Sequence, residues 1–129
     1  MDAEPTLVKF VSAVYAPLSG AVLHYDDTPP TGTDVYAVVR TQTGERIYTI
    51  AGGGSGRETI NWTLEIYGKR AEVAIAVREL PQLLDRYYKA DGLTIADTML
   101  DSRTAPVRSD NPPAAAGAVM LFVSEVIQS

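Results

Sequence analysis

The chain has 129 residues, 46% hydrophobic and 21% charged, which is the composition of one globular domain and not of a disordered segment. Its 11 basic and 16 acidic residues give a net charge of −5, which disfavours tight binding to nucleic acid because such binding depends on Lys and Arg. Zero cysteines and one histidine exclude disulfide frameworks, thiolate metal sites and most histidine metal sites. No apolar run approaches the roughly 20 residues that span a bilayer, so we expect no membrane association and a soluble protein made in the cytoplasm.

Apolar residues at helical spacing follow Pro5, a residue suited to the first turn of a helix. They predict an amphipathic helix over residues 4–16, which Pro17 should end. A short edge strand is expected over residues 22–25. The loop over residues 26–34 is rich in Asp, Pro and Gly, which is typical of turns.

Two segments rich in β-branched and aromatic residues, 35–40 and 46–50, predict strands. Thr43-Gly44 lies between them and predicts a tight reversal, so we expect a hairpin. The glycine-rich run 51–58 cannot keep helix or strand order by itself, and it predicts a mobile tip between strands. This run lacks the Gly-Lys-Ser or Gly-Lys-Thr ending before a helix that a P-loop requires, which argues against nucleotide binding.

The clearest pattern is a strict alternation of apolar and more polar side chains over residues 60–67, with Trp62 on the apolar side. It predicts a strand with one buried face. An apolar stripe over residues 71–88 then predicts a helix that packs on this strand. Pro81 should kink or break the helix near Glu79, and the Asp91-Gly92 pair should end it.

The last third of the chain contains a weakly patterned segment, a long loop and an apolar run. Residues 93–100 are expected to form a further strand, residues 101–117 a loop, and residues 118–127 a strand in the interior of the sheet. The order of elements predicts an α+β fold in a single domain, residues 1–129. We expect a mostly antiparallel sheet of about four to six strands with two helices packed on one face.

Candidate chemistry is sparse. His24 lies beside Asp26 and Asp27, and such a group could bind a metal or a small molecule, or act as an acid and base. Aspartates in a loop with two prolines more often form turn hydrogen bonds, and we favour that structural interpretation. No second histidine is present to activate a serine nucleophile. We therefore expect no catalysis, no cofactor and no metal.

The polar face of the sheet offers a different kind of site. Tyr36, Tyr48 and Tyr67 could all lie on it, together with Arg40 and Arg46, and Tyr is enriched at protein interfaces. A solvated face is an equally good interpretation. Arg103 and Arg108 lie in the expected loop 101–117, and they are ordinary solvated charges unless a neighbouring subunit orders that loop. The candidate contact residues are Gly53, Gly54, Ser55, Arg57, Tyr36, Tyr48, Tyr67, Arg103 and Arg108.

The layout of the chain resembles the tail terminator, or tail completion, proteins of long-tailed bacteriophages. The resemblance lies in residues 22–26 followed by a proline-rich loop, in residues 35–39, and in residues 62–68 followed by an alanine-rich helix that reaches Leu84. It covers about the whole chain in layout and length, and it concerns a pattern without an invariant motif.

The resemblance implies a non-catalytic α+β subunit of a ring, typically a hexamer. Such a ring caps the tail tube, stops its polymerisation and meets the head connector. The implied partners are further copies of the chain, the tail tube protein, the head–tail connector and, in addition, the sheath protein, while DNA passes through without tight binding. The implied location is the virion. The alternatives are another neck component, such as a connector or stopper, and a small-molecule-binding α+β domain.

Overall fold

A computed structural model of the chain describes residues 3–25, 27–28, 35–41, 45–48, 54–105, 107–108 and 116–128, with the backbone alone for residues 45–48, 54–57 and 108. Two α-helices and one 3₁₀ turn are present in this part: α1 Glu4–Val14, the turn Ala16–Leu18, and α2 Arg70–Leu83. The strands are β1 Val22–His24, β2 Tyr36–Thr41, β3 Glu45–Tyr48, β4 Gly54–Gly68, β5 Tyr88–Ala90, β6 Leu93–Arg103, β7 Val107–Arg108 and β8 Ala116–Gln128.

The strands form one eight-stranded sheet with six strands on a continuous path, in the order β1-β2-β4-β8-β6-β5. Only the pair β1 and β2 is parallel among the described pairs; the others are antiparallel. β3 pairs with the first half of β4, and β7 pairs with the start of β8. The predicted α+β class and mostly antiparallel sheet are confirmed.

Both helices pack on the same face of the sheet, as predicted. Phe10 of α1 and Leu80 of α2 share one buried cluster with Trp62, Leu64 and Phe122 of the central strands. The strand over residues 60–67 therefore buries its apolar side, with Trp62 in the core, as predicted. Burial of this apolar area is the main favourable term in folding. None of the helices in the described part of the chain is long and apolar enough to cross a bilayer.

Two helix boundaries differ from the prediction. α1 ends at Val14, two residues before the predicted end, and a separate 3₁₀ turn follows it. α2 continues through Glu79 and Pro81 and ends at Leu83, so the predicted break near Glu79 is wrong, as is the extension to residue 88. Proline is accommodated because the helix ends within the same turn, where few backbone hydrogen bonds depend on it.

The Asp91-Gly92 pair is a hairpin turn and not a helix end. It joins β5 to β6, and φ is 54° at Asp91 and 76° at Gly92. Positive φ at both central residues is the geometry of a type I′ turn, which matches the twist of the flanking strands. Sequences of the form Asp-Gly favour this turn.

One predicted hairpin and two predicted loops differ from the structure. The expected hairpin of β2 with β3 is wrong, because β4 has 15 residues and pairs with β3 and β2 in succession along its length. The glycine-rich run is strand from residue 54 onward, because β3 pairs with Gly54, Arg57 and Glu58, and β8 pairs with the strand from Arg57 onward. Of the expected loop 101–117, residues 101–103, 107–108 and 116–117 belong to β6, β7 and β8, and residues 106 and 109–115 lie outside the described part. Residues 51–53 of the glycine-rich run also lie outside the described part.

Candidate functional site

The face of the sheet opposite the helices is named here the open face. Partners in the strand register share a face, and successive residues alternate between faces. Since Trp62, Leu64 and Phe122 lie in the helix-covered core, their neighbours along each strand lie on the open face. Its members on the four central strands include Tyr36, Val38, Arg40, Thr63, Glu65, Tyr67, Met99, Val119, Leu121 and Val123.

The central strand β8 is apolar on both of its faces. Met120, Phe122 and Val126 are buried under the helices, while Val119 and Val123 alternate with them on the open face. Val119 is 37% exposed, and Met99 beside Val123 is 66% exposed. These residues make the open face apolar along its centre. An antiparallel sheet face that meets water normally carries polar residues, whereas an apolar face is typical of a surface that a partner covers.

Two tyrosines on this face stack on each other. Tyr36 and Tyr67 are direct partners in the register of β2 and β4, and their ring centroids are 5.3 Å apart. The hydroxyl of Tyr67 donates a hydrogen bond of 3.0 Å to Oε1 of Glu65. Burial of Tyr36, followed by the charge of Glu65, raises the pKa of its phenol above the ordinary value. Tyr36 is thus a neutral, well-packed side chain with 3% exposure.

The Tyr67 ring also covers a glycine on the next strand. Gly117 of β8 is the register partner of Tyr67, and an aromatic ring laid over a cross-strand glycine shields its bare backbone. At the outer edge of the sheet, the guanidinium of Arg40 lies 4.5 Å from the ring centroid of Tyr25. Such a cation–π contact is favourable, and it holds the positive charge near the apolar surface.

The structure separates the predicted contact residues. Tyr36 and Tyr67 lie on the open face as expected, and their role in contacts stays a prediction. Arg103 does not lie in a loop or on the open face, because its Nη1 is 3.5 Å from the carbonyl oxygen of Val77 in α2. Gly54, Ser55 and Arg57 belong to β4, Tyr48 to β3 and Arg108 to β7, with no side chain described for any of them, and Gly53 lies outside the described residues.

The residues around His24 take structural roles. Nδ1 of His24 is 3.2 Å from Oε2 of Glu4, which links β1 to α1. The carboxylate of Asp27 accepts a hydrogen bond of 2.9 Å from the backbone N–H of His24, a turn contact of the expected kind. Asp26 lies outside the described residues. Across the described ranges, no three His, Cys, Asp or Glu side chains are grouped closely enough to hold a metal ion.

A groove of about 550 Å³ lies against α2 and the 3₁₀ turn, and neither His24 nor Asp27 lines it. Its walls include Tyr15 before the 3₁₀ turn, Pro17 within it, Val35 before β2, and Glu72 and Ile75 of α2. Burial, and then the charges of two nearby glutamates, raises the pKa of the Tyr15 phenol, with Arg78 opposing them. Those two glutamates are Glu79 and Glu72. Because of these carboxylates we name the site the acidic groove.

Sequence reasoning missed several of these features. Val119, Leu121 and Val123 were predicted to lie in a strand in the interior of the sheet. Strand β8 is apolar at successive positions and therefore on both faces, and this pattern indicates that the face away from the helices also favours burial. Met99 and the acidic groove left no readable signal. The groove in particular joins residues from three separate regions of the chain, so its existence depends on the tertiary fold.

Comparisons with known proteins add little to this description. No protein-family model matches the chain, and no curated protein matches it. Eight chains of solved structures match. One of them, which bears only a sequence identifier as its name, is 18% identical, with 98% of this chain and 90% of that chain covered and a TM-score of 0.44. A likeness at this level carries no argument about function.

Proposed function

We propose that this protein is a structural subunit of a long-tailed bacteriophage particle, a tail terminator that assembles into a ring. The ring caps the finished tail tube, stops its polymerisation and joins the tail to the head connector, with the sheath protein as a further neighbour. The proposal rests on the resemblance in layout, which extends along the whole chain, and on the open face of the sheet.

The observation that carries the proposal is that β8 is apolar on both faces while the helices cover one. Val119, Val123 and Met99 form an apolar strip that is half-buried to exposed in the isolated chain. Such strips mark surfaces that another protein covers. In this proposal the open face meets another protein of the particle.

The charge of the chain fits a ring through which DNA moves. The net charge is −5, and the carboxyl groups of Glu65 and Glu125 lie on the open face beside the apolar strip. Binding to DNA depends on Lys and Arg that release counterions from phosphates. A channel of this composition would let DNA pass without holding it.

Native mass spectrometry and negative-stain images of the purified protein test the proposal. We expect closed rings, most of them hexamers, because an isologous dimer would not form a through-channel. Monomer alone at high concentration, with and without the tail tube protein, would contradict it. The alternative of a connector or stopper also predicts rings, so the distinguishing measurement is whether the rings bind the ends of tail tubes or the neck of DNA-filled heads.

A further inference from the structure

The segment between α2 and β5 exposes a large aromatic side chain. Tyr87 is 73% exposed, the highest value among the exposed large hydrophobic residues of the described chain. Asp85, Arg86 and Lys89 are exposed around it and sum to one positive charge. Tyr and Arg are among the residues that most often anchor protein interfaces. We name residues 85–89 the Tyr87 segment.

The acidic groove has the complementary properties. Its walls combine apolar groups, including the 40% exposed Ile75, with the carboxylate of Glu72. Glu79 adds a second negative charge near Tyr15, and Arg78 compensates for one of the two. An aromatic side chain with a guanidinium next to it therefore matches the groove in both polarity and charge.

The groove and the segment lie at opposite ends of α2. Glu72 and Ile75 of the groove belong to the first half of the helix, whereas the Tyr87 segment follows its last residue, Leu83. At 1.5 Å per residue, Ile75 and Leu83 are about 12 Å apart along the helix axis. Tyr88 stacks on Phe10 of α1 and so holds the segment beyond that end, away from Glu72 and Ile75 of the same chain. Contacts between two different, opposed surfaces of identical subunits produce rings or filaments.

We propose that the Tyr87 segment of one subunit binds in the acidic groove of the next copy, with the Tyr87 ring against Ile75 and the Arg86 guanidinium towards Glu72. The inference rests on the proposed ring and adds the contact that would build it. The ring neighbours then meet through opposite ends of their α2 helices, and the open face stays available for other proteins of the particle.

A charge exchange tests this contact. Glu72→Lys and Arg86→Glu should each weaken self-association on the order of a hundredfold, because each places like charges together in every contact of the ring. An equimolar mixture of the two variants should assemble again, since each contact between unlike chains pairs opposite charges. Asp101→Lys, an exposed site outside the groove and the segment, is the control with the same charge change as Glu72→Lys and should assemble like the wild type. Sedimentation velocity measures these four samples and the wild type.

The outcomes separate this contact from the ring itself. If the wild type assembles and both single variants assemble equally well, the contact is wrong and the ring remains. If the single variants are monomeric and their mixture stays monomeric, the two residues do not face each other and the contact is also wrong. If the wild type is monomeric throughout, the proposed ring fails and the contact fails with it.

A cross-link supplies a second measurement for variants that fold poorly. The chain contains no cysteine, so Ile75→Cys combined with Tyr87→Cys introduces the only two thiols. Mild oxidation should link chains into covalent ladders through these positions. The control pair Ile75→Cys and Met99→Cys should remain unlinked at the same protein concentration. Equal ladders from both pairs would overturn the contact.

Discussion

The ring of Tyr67 lies so close over Gly117 that a Cβ atom on the glycine would be 2.9 Å from both Cδ1 and Cε1 of the ring. The ring has little room to move away because it stacks on Tyr36 at 5.3 Å. Tyr36, Tyr67 and Gly117 thus form one packed unit across three adjacent strands of the open face.

Gly117→Ala should destabilise the fold by about 1 to 3 kcal/mol, since the added methyl group overpacks against a ring that is held in place. Chemical denaturation measures the change in the free energy of unfolding. In a Tyr67→Ala background the same substitution should be nearly neutral, because the clash is gone. An equal loss in both backgrounds would show that the ring is not the cause.

Ser124→Ala should cost about 1 to 3 kcal/mol, because a buried donor loses its acceptor. Nε1 of Trp62 donates to the Ser124 hydroxyl at 2.9 Å, and the Thr98 hydroxyl lies 2.7 Å from the same oxygen. Ser102→Ala, at an exposed position of β6, is the control and should change stability by less than about 0.5 kcal/mol. Thermal and urea unfolding compare the two variants, and equal costs would contradict the role of this network.

Stability should fall as the pH rises above about 10. Burial raises the folded pKa of Tyr36 above 10.0, the value expected in the unfolded chain. The unfolded state therefore releases the proton first, and the stabilising contribution, complete below pH 10, is lost as the pH approaches the folded pKa. Tyr36→Phe should reduce this alkaline loss, and the raised pKa of the Tyr15 phenol accounts for part of the loss that remains. Urea unfolding at several values between pH 8 and pH 11 measures it, and an unchanged slope in the variant would assign the loss to other groups.

Met99→Lys should leave the stability of the subunit within about 0.5 kcal/mol, because the side chain is 66% exposed. In the proposed tail terminator ring, it should also leave the ring intact and impair capping, since a charge buried without a partner in an interface is costly. The measurement is the length of tubes assembled from a tail tube protein in the presence of each variant. Met99→Leu is the control and should cap normally. Normal capping by Met99→Lys would exclude this part of the open face from the contact.

The sequence predicted those elements whose periodicity is local. The strand around Trp62 was readable because its alternation is strict, and the start of α1 at Glu4 because Pro5 marks a first turn. The end of α2 was not readable, because Tyr87 and Tyr88 continue the helical spacing by coincidence. Asp91-Gly92 held the missing signal, since it favours a hairpin turn as well as a helix end.

The position of Arg103 could not be predicted because β6 contains two irregularities. The register shifts between Ala96 and Met99 and again between Leu100 and Ser102. Each extra residue moves the following side chains to the opposite face, so the alternation is lost to a reader of the sequence. Arg103 consequently reaches the carbonyl oxygen of Val77 in α2, and its role in contacts stays a prediction. Tyr36 and Tyr67 were correctly placed on one face because β2 and β4 pair in regular register there.

The same irregularities limit how copies of the chain can join through the edge of the sheet. β5 pairs with β6 at Leu93–Ile95, and from residue 96 onward the outer side of β6 has no second strand beside it among the described residues. Unpaired strand edges invite continuous cross-β growth into fibres. The bulges, with Asp97 at φ 50°, break the straight row of N–H and C=O groups that such growth requires. The described outer edge of β6 is thereby protected against backbone-to-backbone aggregation between copies of the chain.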